Sequence, residues 1–69
     1  MTRTDMAEAL FRQHPNQWLY WAEFASICGR LAWRTRISEC RKRGMVIDNK
    51  LARDRMGIVQ SYYRYRQES

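Results

Sequence analysis

The chain of 69 residues lacks the features that mark several protein classes. It holds no run of ~18 apolar residues, the length a membrane-spanning helix needs. The opening Met1-Thr2-Arg3-Thr4-Asp5 leads into no apolar signal-peptide core, so export is not expected and a cytoplasmic location is. Cysteine is scarce. Cys28 and Cys40 alone make no disulfide framework, and in an unexported chain both are expected to stay reduced. With the single histidine, His14, they offer three candidate ligands without the close paired spacing of a structural zinc site, so no metal or other cofactor is expected. No glycine-rich phosphate loop and no activated-nucleophile arrangement is present. The carboxylates Asp5, Glu8, Glu23, Glu39, Asp48, Asp54 and Glu68 are scattered. A chain this small also has little room for a substrate cleft of the usual ~300 Å3 or more, so enzymatic function is not expected. There is no repeat, low-complexity tract or linker, which leaves one domain over residues 1–69.

What remains is basic and aromatic. Thirteen Lys/Arg against seven Asp/Glu give a formal charge of +6, which attracts polyanions and favours nucleic acid as partner. A domain of this length buries only about 60% of the surface its unfolded chain exposes. Three Trp, four Tyr and two Phe offset that, because each aromatic ring buries a large apolar area. The positive charge is concentrated: Arg30, Arg34, Arg36, Arg41, Lys42 and Arg43 lie in a stretch whose single acid is Glu39.

The pattern predicts three helices and then a hairpin. The first helix is expected from about Asp5 to His14, with Asp5 and Glu8 as a capping box and Met6, Leu10 and Phe11 as its inner stripe. Pro15 ends it. Gln17 to Tyr20 reads as a short extended piece. A second helix fits Trp21 to Cys28, with Phe24, Ala25, Ile27 and Cys28 inward and Gly29 as its terminator. Its start lacks a short capping side chain. The third runs from about Ala32 to Arg43, with Trp33, Ile37 and Cys40 in one narrow apolar stripe and Gly44 after it. Met45-Val46-Ile47 and Val59 to Tyr65 read as strands, the second with Tyr63 and Tyr65 on one face and Arg64 and Arg66 on the other. Between them Asn49 to Gly57 reads as a long basic loop turning near Asp54 to Gly57. Three helices and a two-stranded hairpin make an α+β chain in winged helix-turn-helix order. Trp18 and Trp21 are expected in the core, Cys28 and Cys40 between helices two and three, and Tyr62 exposed. Tyrosine stacking on single-stranded bases is the competing reading of Tyr62, Tyr63 and Tyr65.

The segment Arg34-Thr35-Arg36-Ile37-Ser38-Glu39-Cys40-Arg41-Lys42-Arg43-Gly44-Met45-Val46-Ile47 resembles the small helix-turn-helix domains, mostly of phage and prophage origin, whose hallmark reads roughly Arg-Ile-x-x-Leu-Arg-Lys-x-Gly-x-x-Ile. With Phe24-Ala25 and Gly29 the likeness extends over about Trp21 to Tyr65. It implies a winged helix-turn-helix fold, binding to double-stranded DNA, a role as a transcriptional regulator or accessory factor, and the host cytoplasm as location for a phage-encoded chain. Ile37 takes the buried isoleucine position, Cys40 stands where the hallmark has leucine, and Arg41 and Lys42 match its basic pair. The turn Gly29-Arg30-Leu31-Ala32 departs from the family in lacking a Ser or Thr helix start.

With Trp33, Ile37 and Cys40 inward, the helical period puts Thr35, Ser38 and Lys42 opposite them and Arg34 alongside. These would face base edges in a major groove, and Glu39 is also read as outward. Arg30 and Arg41 suit phosphates. Lys50, Arg53 and Arg55 in the wing would reach the neighbouring backbone or minor groove. Two other readings stand beside DNA binding. One is a small protein-interaction module, such as a phage inhibitor or adaptor docking on a host complex, since Trp and Tyr favour binding hot spots. The other is a homodimer pairing through the C-terminal strand as its sheet edge.

Overall fold

Thr2 opens the first helix, one turn earlier than the sequence pattern suggests. In the computed structural model, which describes residues 2–67, α1 spans Arg3–Gln13. The Thr2 hydroxyl accepts from the Asp5 backbone N–H at 3.1 Å, and the Asp5 carboxylate accepts from the Thr2 N–H at 3.0 Å. Asp5 is thus the third helical residue of a capping box and not its cap, because the Thr2 hydroxyl supplies the same acceptor closer to the free N–H groups. After Pro15 the chain turns through Asn16, which adopts φ 62°, a left-handed conformation that asparagine tolerates. Its N–H donates to the Tyr65 carbonyl at 2.8 Å, and its side chain accepts from the Gln67 N–H at 3.1 Å.

The remaining elements are β1 (Leu19–Tyr20), α2 (Trp21–Cys28), α3 (Trp33–Lys42), β2 (Ile47–Arg53) and β3 (Val59–Tyr65). Glu23 makes good the missing cap of α2 by accepting from the Tyr20 N–H at 3.2 Å. Gly29 ends that helix at φ 95°, and a side chain there would meet the Arg3 guanidinium at 2.7 Å. The short turn 30–32 then leads into α3, whose start has no side-chain cap.

The sheet has three antiparallel strands in the order β1-β3-β2, not the two that the sequence suggests. The short piece before α2 becomes a strand because Leu19 and Tyr20 pair with Tyr63 and Tyr62. On the other side, β2 pairs with β3 from Ile47 opposite Tyr65 to Arg53 opposite Val59. Lys50 and Arg53 therefore sit on a strand and not in a long loop, and only residues 54–58 turn. Pairing partners outweigh the weak strand preference of Asp48-Asn49-Lys50. The C-terminal strand lies at the sheet centre, so the edge strands are β1 and β2 and not β3.

The helices pack on the sheet face that carries Tyr63. The Phe11 and Phe24 rings lie 4.7 Å apart, and Tyr63 meets Phe24 and Trp33 edge-on at 6.0 and 5.7 Å. Ala7, Phe11, Phe24, Cys28, Trp33, Ile37 and Cys40 form the centre of the core. Two expected core residues are exposed instead: Met6 is 38% and Ile27 39% accessible. The buried face of α1 runs through Thr4, Ala7 and Phe11, and the small Thr4 and Ala7 let the neighbouring helices approach closely. Both thiols are fully buried in the same core cluster, and each also reaches α1. Cys28 donates to the Arg3 carbonyl at 3.5 Å and Cys40 to the Thr4 carbonyl at 3.8 Å, so both face the backbone of α1. Tyr62, expected exposed, is half-buried with its ring 5.6 Å from Tyr20. Trp21 is half-buried at the rim of the core, whereas Trp18, also expected in the core, is half-buried against Lys50 and Arg64 on the other face of the sheet, because it alternates with the inward Leu19. No helix among the described residues is long and apolar enough to cross a membrane.

Candidate nucleic-acid interface

The burial of Trp33, Ile37 and Cys40 orients the rest of α3. Arg34, Thr35, Ser38, Arg41 and Lys42 are all exposed, on the face opposite that stripe or beside it. Glu39 does not share their freedom. Its carboxylate accepts from the Thr4 hydroxyl and from Arg36 Nη1 at 3.0 Å, which ties it to α1. The Thr4 bond, with Arg36 behind it, holds its carboxyl below the ordinary range. This overturns the outward reading of Glu39. The reason is tertiary: Thr4 lies on the buried face of α1, where it can reach across to α3.

The start of α3 opens on a cleft of about 430 Å3, larger than the short chain was expected to form, because the hairpin stands away from the turn before α3. Trp21, Arg30, Trp33, Arg34, Val59 and Gln60 are among the residues that line it. The turn before α3 and the strand β3 thus share one concavity. Its back wall is aromatic, with Trp21 and Trp33 stacked at 5.8 Å. The Trp21 indole N–H donates to Gln60 Oε1 at 2.6 Å and joins α2 to β3. The Arg34 guanidinium lies 5.1 Å above the Trp33 ring. Arg30 and Arg34 meet in this cleft. Arg53 and Arg55 are exposed at the far end of the same hairpin. Arg41 donates to the Ile47 carbonyl at 3.1 Å, which leaves its charge at the surface where α3 meets β2.

Lys50 stands apart from the others. Its ammonium lies 4.5 Å from the Trp18 ring and 5.6 Å from that of Tyr62, on the sheet face opposite Tyr63. Arg64 approaches Trp18 as well, at 4.4 Å.

Ion pairing divides the cations into two groups. Arg12 pairs with Glu8, Arg36 with Glu39, Arg43 with Asp5 and Glu8, and Arg64 and Arg66 with Asp48. The two arginines hold the Asp48 carboxyl below its usual range, Arg64 chiefly. Of the two carboxylates left among the described residues, Glu23 caps α2 and Asp54 is bonded within its own turn. None of Arg30, Arg34, Arg41, Lys42, Lys50, Arg53 and Arg55 has a carboxylate partner among the described residues, nor has Arg3, whose guanidinium donates instead to the Cys28 carbonyl at 3.2 Å. Glu68 lies outside those residues.

Gln60, Trp21 and Asp54 were not singled out as site residues by the sequence. An Asp three residues before Gly57 marks a turn, but nothing local signals that Gln60 would bridge that turn to Trp21. Among the described residues no group of three or more His, Cys, Asp or Glu side chains could hold a metal ion. Comparison with protein families, with curated proteins and with solved structures finds no match for this chain.

Proposed function

We propose that this protein binds double-stranded DNA as a winged helix, with α3 as the recognition helix in the major groove and the β2–β3 hairpin as the wing on the adjoining backbone. In this role it acts as a transcriptional regulator or accessory factor and not as an enzyme. The observation that carries the reading is the division of cations. Arg34, Arg41 and Lys42 on α3, Arg30 in the turn before it, and Lys50, Arg53 and Arg55 on the hairpin have no carboxylate partner among the described residues. Arg36 on the side of α3 next to α1, Arg64 on β3, and Arg12, Arg43 and Arg66 are neutralised by neighbours. Free guanidinium and ammonium groups release counterions from phosphate; paired ones have little to gain. Arg34 beside Thr35, Ser38 and Lys42 supplies the mixture of bidentate and hydroxyl groups that reads base edges. The four-residue connection 29–32 between α2 and α3, with Gly29 at its start, suits a helix-turn-helix pair.

Fluorescence anisotropy with a random-sequence duplex at several salt concentrations tests the reading. Binding that falls with salt at a log–log slope of roughly −3 or steeper supports it, since each phosphate contact contributes about −0.9. No binding at low salt, or no loss on replacing Arg34 and Lys42 by alanine, refutes the assigned face.

A second reading, a protein-interaction module, rests on Leu31, which is fully exposed beside Arg30 at the cleft. Under that reading Leu31→Ser abolishes capture of a nuclease-resistant partner; under DNA binding it leaves duplex affinity nearly unchanged.

A further inference from the structure

The turn between β2 and β3 is built around one carboxylate. Asp54 Oδ1 accepts from the backbone N–H of Met56 at 2.9 Å and of Ile58 at 3.0 Å, and Oδ2 accepts from the Gln60 amide at 3.0 Å. The main chain closes the turn, Gly57 N–H to the Asp54 carbonyl at 3.0 Å and Asp54 N–H to the Ile58 carbonyl at 2.9 Å. Gly57 sits at φ 80°, a conformation glycine enters without strain. The tip is therefore preorganised, and its one acid is occupied by the turn itself. Gln60, Ile58 and Met56 all hold the Asp54 carboxyl below its ordinary range, in that order.

The surface this turn presents is apolar between two cations. Met56 is 83% exposed, Ile58 57% and Val59 52%, with Arg53 and Arg55 beside them and also exposed. Single exposed apolar residues are ordinary. Three on one rigid tip, flanked by guanidiniums without carboxylate partners, are not accounted for by folding, because none of them covers the core.

A duplex minor groove matches each part. Its walls are sugar edges that accept apolar side chains, its rims are phosphates that accept arginine, and an apolar side chain pushed between base pairs unstacks them and bends the helix. We propose that Met56 and Ile58 form an apolar wedge that enters the minor groove and kinks the duplex, with Arg53 and Arg55 on the phosphates at its rims. The proposal rests on the DNA-binding reading and adds to it a site, a groove and a deformation. It also implies a preference that needs no base-edge contact: flexible pyrimidine–purine steps kink readily, whereas A-tracts resist.

The test uses the full chain, a Met56→Gln/Ile58→Gln variant, and two end-labelled duplexes of about 30 base pairs, one with a central TA step and one with a central A-tract. End-to-end energy transfer reports bending and anisotropy reports affinity. The wild type is expected to shorten the TA duplex and to bind it more tightly than the A-tract duplex. Both replaced side chains are exposed, so the variant should melt at the wild-type temperature. It should leave the TA duplex straight, bind it roughly tenfold more weakly, and keep the wild-type salt slope because its arginines are intact. Met56→Leu should retain the bend. A variant that bends DNA as the wild type does, or a wild type that binds without bending, overturns the wedge and leaves DNA binding standing. A wild type that binds neither duplex at low salt overturns both. Bending lost together with a lowered melting temperature, and not regained in Met56→Leu, assigns the tip to folding and also overturns the wedge.

Discussion

Trp21 and Gln60 are joined by the bond from the indole N–H to the side-chain carbonyl, 2.6 Å long, and the amide of the same glutamine donates to Asp54 at 3.0 Å. One side chain thus connects the back wall of the cleft to the turn at the hairpin tip. Gln60→Ala removes both bonds. The expected cost in stability is about 2 kcal/mol, about 1 for each side-chain hydrogen bond, read by denaturant unfolding. The amides of Met56 and Ile58 should exchange with solvent faster than in the wild type, while those of α1 exchange no faster than the global loss allows. Unchanged exchange at the tip means that Asp54 holds the turn without Gln60.

The two classes of cation make opposite predictions for salt dependence. Arg53→Ala with Arg55→Ala should reduce the log–log slope of DNA binding by about 1 to 2, because each phosphate contact contributes about 0.9. Arg12→Ala with Arg66→Ala removes the same formal charge. Those two side chains are held by Glu8 and Asp48, so the slope should stay within the error of the wild type. Equal effects from both pairs mean that net charge alone, and not its placement, governs binding.

The thiols should be inert in the folded chain. Cys40 is fully buried, and burial, with Glu8 contributing, pushes its pKa up to about 11; burial raises Cys28 as well. The thiolate is the reactive form, so neither cysteine should react with a disulfide reagent at pH 8 until denaturant is added, when both should. Cys40→Leu restores the residue of the hallmark pattern but adds volume beside the Thr4 carbonyl and Ala7. Overpacking of this kind costs about 1 to 3 kcal/mol, so the variant should unfold at lower denaturant. A gain in stability means that α1 can move outward.

Acid should destabilise the fold in a defined window. The Thr2 backbone bond, then Arg43, lowers the Asp5 pKa to about 2 from its ordinary 3.8. A carboxyl lowered on folding contributes stability that is complete above the unfolded value and vanishes as pH falls through the folded one. Glu39, Asp48 and Asp54 are shifted in the same direction. The melting temperature should therefore be level with respect to these groups above about pH 5 and fall between pH 4 and 2. Asp5→Asn should lower it at pH 7 and make the fall shallower. A parallel curve for the variant means that Asp5 does not stabilise the native state.

How far the fold can be read from the residues depends on where each signal comes from. The stripe Trp33, Ile37, Cys40 is visible because large apolar groups stand alone among polar ones, and α2 ends where Gly29 requires it. The inner face of α1 is hidden because size is a poor guide there: Thr4 and Ala7 are buried for their smallness, while Met6 is left at the surface. Strand β2 is hidden because Asp48-Asn49-Lys50 has no local preference for it, and β3 imposes it. Candidate interface residues on α3 follow from helical geometry alone. Which cations are free depends on contacts between elements, such as Thr4 with Glu39 or Asp48 with Arg64, that no local pattern announces.

The position of β3 between β1 and β2 has a consequence for how the chain can be divided. Both outer strands pair only with β3, so a polypeptide that stops before Val59 can form no part of the sheet, whatever its helices do. A nick within residues 54–58, by contrast, leaves every strand whole. The two pieces, residues 1–56 and 57–69 for example, should then reassociate as a split protein. Complementation between them depends on the short fragment supplying the central strand.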